Sequence, residues 1–170
     1  MLRILMGAGL GLGLFATAAV AGPENVNLPA DYKTTFTSYY EGDRVGNDKQ
    51  VIRLYANETA AKGAQKDGKL PYGSVIVGEI YSVKVDGEGN TVESMLGRRI
   101  IDKLSAVVVM ERGEGFDKSY SDELKVGDWE FAVYSAAGKK LDKDVTACRE
   151  CHHPLQDSEF MWSYEHLALR

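Results

Sequence analysis

The sequence predicts an α+β fold, in which a mainly antiparallel β-sheet has helices at the N- and C-terminal ends of the mature chain. Several segments rich in β-branched and aromatic residues are separated by turn-like sequences. The longest of them, residues 74–85, runs into the turn-like residues 86–90, as in a β-hairpin. Helical spacing of apolar residues occurs instead near the two ends of the mature chain, in residues 29–40 and 159–169. Strands in succession with helices outside the run are typical of this fold class.

Length and composition fit one ordinary globular domain. The chain has 170 residues, 44% of them apolar and 26% charged. Its formal net charge of −5 argues against a general nucleic-acid binder, which needs a basic face. Two cysteines are too few for a disulfide-dense scaffold.

Residues 1–21 are expected to be a secretory signal peptide. Arg3 gives a basic start, residues 4–20 are apolar, and Ala19-Val20-Ala21 has the small-x-small pattern of a cleavage site. We expect a periplasmic mature protein, residues 22–170, that forms a single domain and is not attached to a membrane. The alternative is a retained anchor, but the apolar run is short for a bilayer and its glycines weaken a helix.

The first half of the mature chain is predicted to form two helices, with a strand between them in the sequence. Aromatic residues at helical spacing predict a helix over residues 29–40, and Asn57 is a suitable N-cap for a second helix over residues 58–66. The segments between them are predicted as a loop (41–49), a strand (50–56) and a turn (67–73).

The second half supplies most of the sheet. Strands are predicted over residues 74–85, 103–111 and 128–135, a polar excursion over 112–126, a charged linker over 139–144, and helices over 145–152 and 159–169. The sheet then has four or five strands. Because the helices are few and short, we expect a second protomer or a bound group to cover its other face.

The chemistry of the chain is concentrated in Cys148-Arg149-Glu150-Cys151-His152, the C-x-x-C-H attachment signature of c-type haem. Cys148 and Cys151 stand one helical turn apart, so that both thiols can reach the two vinyl groups of one porphyrin. His152 then meets the iron as the proximal ligand. The sequence therefore predicts one covalently attached haem c.

Three other interpretations of these cysteines remain open. A zinc site would use Cys148, Cys151, His152 and His153, but structural zinc usually takes two ligand pairs separated by a longer loop. A thioredoxin-like motif would need a βαβ context, which the sequence does not indicate. A simple disulfide is compatible with an oxidising compartment.

No strong sixth iron ligand stands out in the sequence. His153 follows His152 directly, so the two side chains do not share a helix face, and His166 is expected at the surface or behind the ligand. Met161 lies on the same chain segment as His152, and Met95 and Met110 are expected in the sheet region as packing residues. This pattern indicates a five-coordinate iron with an open face.

The mature chain resembles the cytochrome P-460 family, including its non-crosslinked relatives, the beta-type cytochromes c′. The shared features, in order along the chain, are Leu28-Pro29-x-x-Tyr32, Tyr55-Ala56-Asn57, residues 71–77, Val109-Met110-Glu111, residues 127–131, the haem motif and Phe160-Met161-Trp162. The resemblance implies an antiparallel sheet that packs as a homodimer, with the haem held against the sheet by the C-terminal motif.

Within that family, two positions separate the branches. In hydroxylamine-oxidising members a lysine crosslinked to the haem aligns with Gly78, and a distal carboxylate aligns near Val107. Neither residue can take over that role, although an alignment slip would bring in Glu79 or Lys84. The resemblance therefore favours the non-crosslinked branch, with a dry distal face for uncharged gases.

The residues expected around the haem are mainly apolar. Phe36, Val75 and Val107 are expected in the distal pocket, with Tyr55, Val77 and Phe131 as further candidates. Arg98 and Arg99, and also Arg53, are expected to pair with haem propionates, because a guanidinium matches a carboxylate in bidentate geometry.

The sequence thus predicts a periplasmic c-type haem protein whose iron binds NO or CO, for NO scavenging or trafficking, with a redox partner protein as a further expectation. Hydroxylamine oxidation and plain electron transfer are the alternatives, and whether the protein is an enzyme stays open. No nucleic-acid partner is expected.

Overall fold

A single antiparallel meander of six strands forms the centre of the computed structural model, which describes residues 22–67 and 69–170. The strands follow one another in the sheet in chain order. They are β1 (Thr37–Asp43), β2 (Gln50–Ala56), β3 (Val75–Val83), β4 (Ile101–Arg112), β5 (Trp129–Ser135) and β6 (Lys140–Leu141). The predicted fold class, α+β with a mainly antiparallel sheet, is confirmed.

In the described part of the chain, four short helices accompany the sheet. They are α1 (Tyr32–Thr35), α2 (Glu58–Asp67), α3 (Thr146–His152) and α4 (Tyr164–Ala168), with single 3₁₀ turns at Pro23–Asn25, Asp122–Leu124 and Gln156–Ser158. Among residues 22–67 and 69–170, none of the helices is long and apolar enough to cross a membrane. The predicted signal peptide, residues 1–21, lies outside the described residues.

The helix predicted over residues 29–40 is confirmed only for one turn, α1. The chain then becomes β1, whose residues pair with β2 from Thr37↔Ala56 to Asp43↔Val51. Tyr39 and Tyr40 imitate a helical period, but a register shift between Ser38 and Tyr40 lets both tyrosines join the same core cluster. Pairing with β2 therefore overrides the local pattern.

The end of the chain is also less helical than predicted. Only Tyr164–Ala168 forms the last α-helix, because Glu159 (φ 53°) and Phe160 (φ 61°) adopt left-handed backbone conformations that end any helical run. The predicted helix over residues 58–66 matches α2. Asn57 caps it as expected, since its Oδ1 accepts a hydrogen bond from the Ala60 amide at 2.9 Å.

The two faces of the sheet carry separate cores, because side chains alternate along each strand. On one face a cluster joins the sheet to α2 and the C-terminal segment, through residues such as Ile76, Met110, Phe131, Met161 and Leu167. We call this side, defined by Ile76, Met110 and Phe131, the cavity face.

The other side of the sheet, which we call the opposite face, is covered by the N-terminal residues. Its core includes Val26, Tyr32, Val77, Val109 and Tyr134. The Tyr134 hydroxyl donates to the Val26 carbonyl at 2.8 Å, which ties the start of the described chain to β5.

A buried carboxylate connects α1 to the opposite face. Glu79 of β3 is 1% exposed and accepts hydrogen bonds or an ion pair from four donors. These are the hydroxyls of Tyr32 (2.7 Å), Tyr55 (3.1 Å) and Tyr81 (2.7 Å) and the ammonium of Lys33 (2.6 Å).

Candidate functional site

A cavity of about 320 Å³ lies between the cavity face of the sheet and the C-terminal segment. This volume is in the range of ligand and cofactor sites. The C-terminal side of its wall contains both cysteines of the C-x-x-C-H motif and His152, together with Ala147, Met161, Trp162, Ser163 and His166. The structure therefore places the predicted haem motif at the edge of a cavity.

Helix α3 brings the three motif residues to the cavity. Its first turn is stabilised by Asp144, whose Oδ1 accepts a hydrogen bond from the Thr146 amide at 2.9 Å. Cys148 and Cys151 are both free thiols, the first half-buried and the second exposed. Burial raises the pKa of the Cys148 thiol. Both thiols are thus available on the helix face that lines the cavity.

Arg149, between the two cysteines, anchors α3 to the protein. Its guanidinium is fully buried and contacts Asp117 Oδ1 at 2.8 Å and Glu130 Oε2 at 3.1 Å. It also donates to the Trp129 carbonyl at 2.8 Å and lies 3.3 Å from the centre of the Tyr120 ring. These contacts set the position of the helix that carries the cysteines.

His152 has one ring nitrogen occupied and one free. Its Nδ1 is 2.6 Å from the Phe160 carbonyl oxygen, and since a carbonyl only accepts, Nδ1 carries the proton. Burial lowers the pKa of His152, so the ring is neutral near pH 7, although the Phe160 hydrogen bond opposes this effect. Among the described residues Nε2 has no hydrogen-bond partner, and its lone pair is available to a metal.

The sheet side of the cavity is formed by aliphatic side chains and a glycine. In the strand register Gly78 stands between Leu54 and Val108. A Cβ built on Gly78 would lie 2.9 Å from Val108 Cγ2 and 3.2 Å from both Ile52 Cδ1 and Leu54 Cδ2. These three side chains therefore close over the glycine. Ile76, Ile80, Met110 and Phe131 extend the same wall.

Four polar residues also line the cavity, namely Tyr40, Asp43, Arg44 and His166. Arg44 Nη1 donates to Gln50 Oε1 at 2.8 Å, and the His166 ring lies 4.7 Å from the Tyr40 ring. Arg44 could not be predicted as a cavity residue, because a charged residue in a loop gives no signal of which cavity it borders. His166, expected at the surface or behind the ligand, is exposed but lines the cavity.

The predicted distal residues are not at this cavity. Phe36, Val75 and Val107 belong to the core of the opposite face, as do Tyr55 and Val77. The physical reason is strand alternation, since residues one position away, Ile76 and Val108, do line the cavity. Phe131 is the one candidate that lines it, with its ring 5.1 Å from the ring of His152.

The predicted propionate partners are engaged elsewhere. Arg98 donates to the Glu41 carbonyl at 3.2 Å, and Arg99 lies 3.6 Å from Asp43 Oδ1. Arg53 pairs with Glu41 and stacks on Tyr81. None of these three arginines lines the cavity, whereas among the described residues Arg44 does.

The other histidine and the methionines that were considered as iron ligands differ in whether they line the cavity. His153 Nδ1 bonds the Lys125 carbonyl at 2.8 Å, away from the cavity lining. Met95 is fully exposed, whereas Met110 and Met161 are buried and line the cavity. Met110 is therefore the methionine from the sheet that could approach a group in the cavity.

The alternatives to haem find no support in the geometry. Within the described part of the chain, no group of three or more His, Cys, Asp or Glu side chains is arranged to hold a metal ion by itself, as a zinc site requires. The thioredoxin-like alternative lacks its βαβ unit, because all strand pairs in the sheet are antiparallel. Two free thiols, a neutral imidazole with a free Nε2 and an apolar cavity beside them fit a c-type haem.

Comparison with known proteins agrees with this fit. A protein-family model described as Cytochrome P460 matches residues 29–163, which include the whole sheet, the cavity walls up to Ser163, and the C-x-x-C-H motif. No curated protein matches the sequence.

Proposed function

The chain belongs to the cytochrome P460 family and is a haem protein, and from this premise we propose that it carries one covalent haem c whose five-coordinate iron binds small uncharged gases such as NO and CO. Cys148 and Cys151 form the thioether bonds, and His152 ligates the iron through Nε2. Bound in this way, the haem iron supplies one open coordination position. A role in NO scavenging or trafficking follows from such an iron.

The observation that carries the proposal is the aliphatic sheet wall of the cavity. Ile52, Leu54 and Val108 converge over Gly78, and the wall they form offers a ligand no charged group. An apolar wall favours uncharged ligands, because a charged or strongly hydrated one would lose its water without compensation. On the sheet side of the cavity, these aliphatic side chains therefore disfavour water and anions.

The same wall argues against hydroxylamine oxidation, the alternative that the family allows. Gly78 stands at the position expected for a crosslinking lysine, and among the described residues no lysine lines the cavity. Glu79, which an alignment slip would bring in, points to the opposite face and is held there by tyrosines. Lys84 does not line the cavity.

A visible spectrum of the reduced holoprotein, recorded with and without CO, tests the proposal. We expect a high-spin five-coordinate spectrum that changes to a six-coordinate one when CO is added. A low-spin six-coordinate spectrum that CO does not alter would overturn it and would favour a plain electron carrier. In that case a return to the five-coordinate spectrum in Met110→Leu would identify the sixth ligand.

Mass analysis separates the remaining alternatives. A tryptic haem peptide that contains residues 148–152 and no lysine from another part of the chain is the expected result, together with no turnover of hydroxylamine. A haem peptide joined to a distant lysine, with hydroxylamine turnover, would instead establish the oxidase.

Export and assembly are part of the same proposal. Cleavage after Ala21 would give a periplasmic protein that begins at Gly22, and the intact mass of the purified holoprotein tests this. We further propose a homodimer, as the family resemblance implies, for which light scattering should give twice the mass of the mature chain. We also propose a redox partner protein.

A further inference from the structure

We propose that Glu159 and Trp129 are positioning residues that hold the Phe160 carbonyl against His152 and thereby lower the reduction potential of the iron. The inference rests on the proposed function, because it takes His152 as the iron ligand. The segment after α3 contains an unusual backbone conformation. Glu159 and Phe160 are two consecutive non-glycine residues with positive φ, of 53° and 61°.

Such conformations are unfavourable for residues with a Cβ. Non-glycine residues adopt the left-handed conformation rarely, and it persists where the surroundings hold the residue in place. In the described chain only one other non-glycine residue, Asp128, has a positive φ. Two strained residues in succession therefore point to a specific requirement at this position.

The strained turn delivers a hydrogen-bond acceptor to the ligand. The Phe160 amide donates to the Leu155 carbonyl at 2.7 Å, which closes the turn, and the Phe160 carbonyl accepts from His152 Nδ1 at 2.6 Å. The second of these bonds is short for an N–H···O contact. The turn thus joins the residues after the haem motif to the ring of the ligand itself.

Glu159 is held by both its side chain and its backbone. Its Oε2 accepts from Arg112 Nη1 at 2.6 Å and from the Leu70 amide at 3.2 Å. Its carbonyl accepts from the indole N–H of fully buried Trp129 at 3.1 Å. Strand β4, strand β5 and the loop after α2 therefore all fix the same residue.

Phe160 is held in place by the packing of its phenyl ring beside Gly127. Gly127 has a φ of +67°, and a Cβ there would lie 2.4 Å from Phe160 Cε2. The phenyl ring occupies the space that a side chain at Gly127 would need. With the ring seated here and Glu159 fixed, the carbonyl of Phe160 has little freedom to turn away from His152.

A short hydrogen bond from the second ring nitrogen changes what a histidine ligand does to its metal. It makes the imidazole a stronger electron donor, and partners of this kind tune the bound metal. A more electron-rich ligand stabilises ferric over ferrous iron, which lowers the reduction potential, and it strengthens the iron–histidine bond. Loosening the turn should reverse both effects.

Two substitutions on the holoprotein test the proposal. Trp129→Phe keeps an aromatic ring but removes the indole N–H that holds the Glu159 carbonyl. Glu159→Gln keeps the shape but weakens the pairing with Arg112. We expect both variants to have a higher reduction potential, equivalent to at least a threefold shift of the ferric–ferrous equilibrium, and a lower iron–histidine stretching frequency by resonance Raman spectroscopy.

Glu165→Gln, at an exposed position on α4, is the matched control and should change neither value. If both variants lose thermal stability while their potential and stretching frequency stay at the wild-type values, the residues are merely structural and the proposal is wrong. Should Trp129→Phe fail to fold, Glu159→Gln alone decides, because its side chain is partly exposed and the change is conservative.

The same Raman measurement distinguishes a wrong assignment of His152 as the iron ligand from a wrong assignment of the positioning residues. If wild-type ferrous protein shows no iron–histidine stretching mode, then His152 is not the ligand, and both the proposed function and the inference fail. If the mode is present in the wild type and unchanged in Glu159→Gln, only the inference fails.

Discussion

Arg149 stands at one of the two variable positions of the haem motif, yet it is the most deeply embedded residue of α3. Its charge is compensated inside the protein by Asp117 and Glu130. The Tyr120 hydroxyl donates to Glu130 at 2.9 Å, and the Val126 amide donates to Asp117 at 2.9 Å. A haem motif only has to present two thiols and an imidazole, and here a residue between them carries the packing that keeps the helix in place.

Replacing Arg149 by methionine should strongly destabilise the protein. The change keeps most of the volume but leaves two buried carboxylates without their cation, and breaking a buried ion pair in this way costs about 3 to 5 kcal/mol. We expect that loss in the free energy of unfolding, measured by urea denaturation of the holoprotein. Glu150→Gln, the exposed neighbour in the same motif, should change stability by less than about 0.5 kcal/mol. Equal stability of the two variants would show that the Arg149 cluster contributes little.

At the scale of elements, successive residues of strand β3 face opposite sides of the sheet and have different roles. Gly78 faces the cavity, whereas Glu79 faces the opposite side and joins α1 to the sheet. Burial by itself raises the pKa of the Glu79 carboxyl, but its four donors outweigh burial and lower it to about 2. Burial, together with this carboxylate, raises the pKa of Tyr55 to about 12, so that this tyrosine stays a donor.

This network predicts a specific acid sensitivity. Because the folded pKa of Glu79 lies below that of an unfolded glutamate, ionised Glu79 stabilises the fold above about pH 4.5, and that contribution is lost as the pH falls towards 2. We expect Glu79→Gln to lower the free energy of unfolding at pH 7 by about 3 kcal/mol. Between about pH 4.5 and pH 2 the variant should lose less stability than the wild type.

Chemical denaturation at a series of pH values measures this difference. Glu93→Gln, at an exposed position whose side chain makes no hydrogen bond or ion pair with the described residues, is the control and should follow the wild-type profile. Parallel acid profiles of the wild type and Glu79→Gln would mean that another carboxylate dominates acid unfolding.

For the whole molecule, the cavity is the feature that connects the core to the proposed cofactor. Part of its wall, including Ile76, Met110, Phe131 and Met161, belongs to the core cluster that joins the sheet, α2 and the C-terminal segment. A protein that folds around a covalent group depends on that group to fill its interior, because an unfilled cavity forfeits contacts on all its walls.

Removing the attachment site should therefore lower global stability. We expect the double variant Cys148→Ser, Cys151→Ser to contain no covalent haem by intact mass and to unfold at least about 10 °C below the holoprotein, which corresponds to roughly 3 kcal/mol for a domain of this size. Calorimetry compares the two proteins. The single variants should retain one thioether bond and unfold at intermediate temperatures, and a double variant as stable as the holoprotein would show that the cavity walls collapse without cost.

The order of strands β2 to β5 and the helix α2 could be predicted from local sequence, because each has a strong apolar pattern and clear turns at its ends. Strand β1 could not, since its tyrosines fit a helical period and only pairing with β2 makes it extended. Glu159 and Phe160 were predicted as helical for a similar reason. Their local propensities allow a helix, and contacts with Arg112, Trp129 and His152 impose the left-handed turn.

The sequence by itself determined the chemistry at the end of the chain, because Cys148, Cys151 and His152 lie within five residues and their relative placement follows from one helical turn. Only the tertiary structure decided what surrounds them. Val107 and Val108 are equivalent as local sequence, yet the first packs on the opposite face and the second lines the cavity. A shift of one residue in strand register exchanges the two, and that register depends on pairing with distant strands.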